Sequence, residues 1–257
     1  MENNLSKLKK ELHERRESYT CRLSEKQEIE RNILLEVTQG FAQDVKRGIA
    51  VYDLSRIGYI QNTSIYTKLL GEPVIEPERE DCFERLYSKL HPNDVARVMQ
   101  TELNIYTELA SMTHDEDMDS HFILLSRIKD KHNKYQLFFH LVSVKCWDQD
   151  GKPWLLSILS ERLPQTICNE NKIEALYKSL PTGKIGKDFY NKIYLLTEQQ
   201  LNILTEVYNG NKRNAIAAKF NLSPHTIHNH YVDICQKLKM KCIGVAAIYL
   251  KIIGKIV

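Results

Sequence analysis

The stretch Leu222-Ser223-Pro224-His225-Thr226-Ile227-His228-Asn229-His230 places three imidazoles and an amide within six residues. Two chemistries suit such a set. Imidazoles one helical turn apart can share a metal ion, whereas amide and imidazole groups on one helix face can hydrogen-bond the edges of base pairs. Spacing separates the two. At about 100° per residue His225 and His228 lie close together, but His230 points about 140° away from His225. Neither a carboxylate nor a cysteine completes a ligand set, so no metal is expected. On the same wheel Ile227, Tyr231, Ile234 and Leu238 gather on one side, which must be the packed side. His225, Asn229, Val232 and Gln236 gather opposite, with His228 on their flank. Asn229 and Gln236 suit the bidentate pairing with adenine, and the methyls of Val232 suit a thymine methyl.

These side chains need a helix that offers one face to a groove. Ser223 is a natural N-cap, and Pro224 occupies the first helical position, where its missing N–H does no harm. This third helix is expected to run to about Lys239. Asn221 and Leu222 break it from a short second helix, NAIAAKF. Before that, LTEQQLNILTEVYNG opens with Thr197 and Gln200 as a capping box and closes at Gly210. A fourth helix, IGVAAIYLKII, is apolar nearly all round; one face is expected to pack on the module and another to pair with a second copy. A helix, a short turn and a second helix with an open polar face make a helix-turn-helix, whose second helix enters the major groove. Lys212, Arg213, Lys237, Lys239 and Lys241 flank it and suit phosphate contacts. The DNA-binding candidates are therefore Lys212, Arg213, Ser223, His225, Thr226, His228, Asn229, Val232, Gln236 and Lys237.

Charge agrees. From Leu195 onward eight cations face three anions, a surplus of five, while the rest of the chain carries two more anions than cations. A basic segment on a near-neutral body points to a polyanionic partner for that segment alone. The alternative is a protein-interaction adaptor whose basic tail holds nucleic acid only non-specifically.

The remaining sequence reads as a platform. Residues 1–40 have a polar helical pattern whose broken stripe runs Leu5, Leu8, Leu12, Tyr19, Leu23, Ile33 and Val37. Residues 41–163 begin with two short strands, IAVYDL and GYIQNTS, around a Ser-Arg-Ile-Gly turn. A helix follows in HPNDVARVMQTELNIYTEL, with Asn93 and Asp94 as capping types. Three longer strands, SHFILLSRI, KYQLFFHLVSVKCWD and PWLLSILSER, are separated by KDKHNK and the Asp-Gly turn DQDGK. The fold class is α+β for this domain and all-α for residues 195–257. Residues 164–194 read as a linker with one helix, Glu170 to Leu180; Pro181, Gly183 and Gly186 suit a hinge.

Enzyme and cofactor motifs are lacking: there is no P-loop, no G-x-G-x-x-G and no G-x-S-x-G. The run HDEDMDSH brings Asp115, Asp117 and Asp119 together, but Ser120 and Ser126 stand where a calcium loop needs Gly and Glu. The six cysteines are scattered without a C-x-x-C pair and read as reduced thiols. With no 18-residue apolar run and no signal-peptide core, the expectation is a cytoplasmic, non-enzymatic protein without cofactor or membrane segment.

Residues 196–250 resemble the LuxR/FixJ-type helix-turn-helix of bacterial transcription regulators. The resemblance rests on Leu196-Thr197, Leu201, Leu204, Gly210, Ile216-Ala217, Leu222-Ser223-Pro224, Thr226-Ile227, His230, Ile234, Lys237-Leu238 and Ala246. It implies a four-helix module whose third helix reads DNA at the positions of His228, Asn229 and Val232, and whose fourth helix often pairs two protomers. This chain departs from the pattern at Arg213-Asn214-Ala215 and at Cys242-Ile243. The middle domain is similar to a PAS sensor domain at Tyr52-Asp53, Gly58-Tyr59-Ile60, Asn62, Leu70-Gly71, His91-Pro92-Asn93-Asp94, Asp150-Gly151 and Trp154. Together the resemblances imply a transcription regulator that binds double-stranded DNA as a homodimer, with a small-molecule or protein signal received at the PAS-like domain.

Overall fold

The computed structural model describes residues 2–42, 48–62, 82–117, 120–164, 170–181, 183–186 and 191–256. They form two compact units, Met1–Arg162 with Thr182–Lys184, and Leu163–Pro181 with Ile185–Val257.

The first unit holds α1 (Glu2–Glu17), α2 (Glu25–Ala42), β1 (Gly48–Asp53), β2 (Gly58–Asn62), α3 (Cys82–Lys89), α4 (Pro92–Leu109), α5 (His114–Asp117), β3 (His121–Lys129), β4 (Tyr135–Trp147) and β5 (Pro153–Arg162). Its five strands make one antiparallel sheet in the order β2-β1-β5-β4-β3. Helices inserted between the second and third strands of such a sheet give the PAS-like architecture that the sequence resembles. Leu70 and Gly71 of that resemblance lie outside the described residues.

Two aspartate-capped turns set the hairpins. The Asp130 carboxylate accepts from the backbone N–H of His132 and Lys134 at 2.8 and 2.9 Å, while Asn133 takes φ 60. Asp148 repeats this with Asp150 and Lys152 at 2.9 and 2.8 Å, and Gly151 supplies φ 75. Between these turns β4 is buried without a break from Leu137 to Val144, and Phe138 and Val142 share one core with Val98, Met99, Leu103 and Tyr106 of α4. His140 lies on β4 among them. Its Nε2 meets Ser126 Oγ at 2.8 Å and its Nδ1 meets Ser160 Oγ at 2.6 Å. Burial pushes its pKa down to about 4, so the ring is held neutral.

The amino-terminal pattern forms two helices, not one. Ser24 and Gln27 make a capping box: Ser24 N–H donates to Gln27 Oε1 at 2.9 Å and Gln27 N–H to Ser24 Oγ at 3.3 Å. The stripe therefore splits. Leu12 is 1% exposed in the α4 core, with Leu5, Leu8 and Tyr19 beside it. Leu34 and Leu35 of α2 pack on Val51, Trp154 and Leu155, whereas Ile33 is 54% exposed. Arg16 carries its charge into this core, where it pairs with Glu102 at 2.7 Å and donates to the Tyr87 hydroxyl.

The start of α4 also differs from expectation. Pro92 occupies N1, which makes His91 the N-cap; His91 Nδ1 accepts from Asn93 N–H at 3.3 Å. Asp94 turns inward and takes a bidentate bond from Arg127 of β3 at 2.7 and 2.9 Å. Asp117, from the acidic run, accepts from Thr113 N–H at 3.1 Å and from Lys184 Nζ at 2.6 Å; Asp119 lies outside the described residues.

The second unit holds α6 (Glu170–Ser179), α7 (Glu198–Tyr208), α8 (Arg213–Lys219), α9 (Pro224–Leu238) and α10 (Ile243–Ile252). The expectation that α10 keeps a free apolar face is not met. Val245 through Leu250 are all buried, as is Ile252. The other module helices take part of that surface. α6 adds a smaller part, with Ile173 and Leu176 buried and Leu176 beside Gly244, where a Cβ would stand 3.7 Å from its methyl. Among the described residues no helix is long and apolar enough to cross a membrane.

Two outcomes follow. Leu12→Ala should cost about 2–5 kcal/mol in denaturant unfolding, since it opens a cavity in the shared core; a loss near zero would mean that α1 is not part of it. The second concerns pH. The folded pKa of His140 lies below the ordinary 6.5, so the unfolded chain binds the proton first as pH falls. Stability should therefore rise with pH between about 4 and about 6.5, by about 3 kcal/mol. His140→Gln should flatten that part of the profile.

Candidate nucleic-acid interface

The site is built from the cap of α7 outward. Thr197 N–H donates to Gln200 Oε1 at 3.0 Å, and Gln200 N–H donates to Thr197 Oγ1 at 3.2 Å. The helix ends at Asn209, and Gly210 follows at φ 82. The turn between α8 and α9 is made by Asn221 at φ 54 and by Leu222 N–H donating to Ala217 at 2.9 Å. Ser223 then caps α9, its Oγ accepting from Thr226 N–H at 3.0 Å.

The core of this motif is Ile203, Ile216, Ala217 and Ile227, with Val207, Phe220, Leu222 and Tyr231 partly buried around them. Ile234 and Leu238 are buried further along α9. These contacts fix the rotation of the helix. His225, His228, Asn229, Val232 and Gln236 are consequently exposed together, while His230 is half-buried on the flank. Val232 is 42% exposed, an apolar side chain on an otherwise polar surface. Lys212 and Arg213 are exposed at the start of α8. Among the described residues no group of three histidine, cysteine or acidic side chains is placed to hold a metal ion.

Three candidates are engaged within the chain. The Ser223 and Thr226 hydroxyls lie 2.8 Å apart in the cap. Lys237 Nζ sits 2.8 Å from Asp233 Oδ2 and donates to Gln200 Oε1 at 3.2 Å. Gln200 Nε2 donates to the same Asp233 oxygen at 2.6 Å, so one amide spans the cap of α7 and the flank of α9. Lys237, then partial burial acting in opposition, and Gln200 leave the Asp233 carboxyl below its ordinary range. A parallel arrangement joins α7 to α8: Glu206 accepts from Lys219 Nζ and Asn211 Nδ2, both at 2.6 Å, and Lys219 holds that carboxyl below its ordinary range. Sequence reasoning missed both. The Asp233/Lys237 spacing of four on a helix was the available signal for the first.

Residues 194–250 match the family model described as bacterial regulatory proteins, luxR family. No curated protein matches the chain. Among solved structures, a phage VqmA–DPO complex is 14% identical, with 87% of this chain and 89% of that chain covered at a TM-score of 0.35. A Vibrio cholerae VqmA dimer without target DNA is likewise 14% identical, covering 86% of this chain and 88% of that one at 0.33. The amino-terminal domain of a Marinobacter aquaeolei diguanylate cyclase with a PAS/PAC sensor is 14% identical, covering 46% of this chain and 94% of that one at 0.36. These likenesses are distant. The segment that carries the match to the luxR-family model, residues 194–250, folds as a helix-turn-helix module and follows the five-stranded antiparallel sheet in sequence.

Proposed function

We propose that the chain is a transcription regulator that binds double-stranded DNA sequence-specifically by laying α9 in the major groove, under control of the PAS-like domain. One observation carries the reading: the core of the module leaves His225, His228, Asn229, Val232 and Gln236 exposed on a single face of a capped helix. In this reading Asn229 pairs with adenine, Val232 meets a thymine methyl, and Lys212 and Arg213 grip phosphates. A signal at the sheet domain acts through its difference in affinity between the binding-competent arrangement and others. A cytoplasmic location and two-fold pairing on a palindromic site belong to the same reading. Because α10 is covered, such pairing has to use another surface or displace α6.

The test is selection of bound sites from random duplexes, followed by salt-resolved binding. A sequence-specific reader enriches a motif and keeps a specific-over-non-specific ratio as salt rises; a basic anchor loses nearly all affinity and enriches none. Asn229→Ala should relax base preference at one position of that motif and cost about 1–3 kcal/mol. Lys212→Ala and Arg213→Ala should instead weaken all sequences alike, each flattening the salt slope by about 0.9. Equal loss on all sequences for Asn229→Ala would remove it from the reading face.

A further inference from the structure

We infer that Asp233 acts as an internal substitute for a DNA phosphate, holding Lys237 against α7 and keeping the module's affinity for DNA below what its cations allow. This rests on the DNA-binding reading above. Asp233 is the one acidic residue of α9, whose other exposed groups are neutral or cationic. It stands one helical turn before Lys237, with Nζ 2.8 Å from Oδ2. Lys237 in turn follows Gln236, which lies on the exposed face. A carboxylate and a phosphate offer an ammonium the same thing, anionic oxygens that only accept.

The clasp has a third member. Gln200 donates to Asp233 Oδ2 at 2.6 Å and accepts from Lys237 at 3.2 Å. Gln200 is itself 2% exposed and fixed by the α7 cap, so it anchors both charged groups to the body of the module. The Lys237 side chain is only 28% exposed as a result, against 49% for Asp233. Asp233 stays ionised at neutral pH because both partners favour its charged form. An accessible ion pair of this kind is weak, so a nearby phosphate can compete for the ammonium. The module holds three acids against eight cations, and two of those acids, Glu206 and Asp233, each occupy a lysine. Asp233 is thus a positioning residue: it acts on DNA through Lys237.

Asp233→Asn tests this, because an asparagine keeps an oxygen for Gln200 Nε2 and removes the charge. Binding of the full chain to its selected site and to an unrelated duplex is measured at about 50 and about 200 mM salt. Asp233→Asn should tighten both duplexes and make the loss between the two salt concentrations larger by about a factor of 3, as one added phosphate contact requires. In the Lys237→Ala background the same substitution should have no such effect, which excludes a mere gain of net charge. Thermal melts of each variant confirm that the module is folded. Unchanged affinity and slope in Asp233→Asn, or an equal gain with Lys237 absent, would overturn the inference while leaving the reading face intact. If no variant and no wild-type chain binds any duplex above the level of a basic anchor, the DNA-binding reading fails, and this inference with it.

Discussion

The surface of the carboxy-terminal module depends on the burial of Ile227, Ile234 and Leu238 against the helices behind them. A helix has one rotational degree of freedom about its axis, and three side chains on a common face remove it. Everything opposite is then exposed by geometry. Burial of each such side chain is worth about 1.5–3 kcal/mol, more than the polar contacts around the helix can supply individually. Thus the apolar side determines the orientation, and the polar side is free to vary in chemistry without loss of the fold.

Polar groups refine what burial has fixed. The capping box at Thr197 and Gln200 sets where α7 begins, and the same Gln200 amide reaches α9. Ser223 and Pro224 set where α9 begins. Glu206 ties the end of α8 to α7 through Lys219. The cations of the module accordingly differ in what surrounds them. Lys212 and Arg213 face solvent, whereas Lys219 and Lys237 lie beside carboxylates of the chain. Formal charge therefore overstates the positive field offered to a polyanion.

Much of this was legible in the residues, for local reasons. Caps, turn residues and a 3.6-residue apolar period are written within one segment, so α7, α8 and α9 and the exposed set on α9 could be read directly. The strands β3 to β5 were legible because their turns carry Asp130, Asp148 and Gly151 at fixed offsets. Most of what escaped depends on partners far along the chain. Asp94 has a capping-type side chain, yet Arg127 on β3 claims it, 33 residues away. The break between α1 and α2 was written in Ser24 and Gln27, but the apolar stripe across it concealed the box. The apolar girth of α10 signalled burial correctly and its cause incorrectly: α6 covers part of what was assigned to a second copy. The charge of Lys237 is visible in sequence, whereas its pairing with Gln200, 37 residues away, is not.

The central claim is that the face of α9 opposite Ile227, Ile234 and Leu238 is where this chain meets DNA. The most direct measurement is a titration of the isotope-labelled full chain with its selected duplex, followed by amide chemical shifts. The account predicts that the largest changes cluster at His225, His228, Asn229, Val232 and Gln236, bordered by Lys212 and Arg213. Changes concentrated on α6, α10 or the strands, with α9 unmoved, would contradict it.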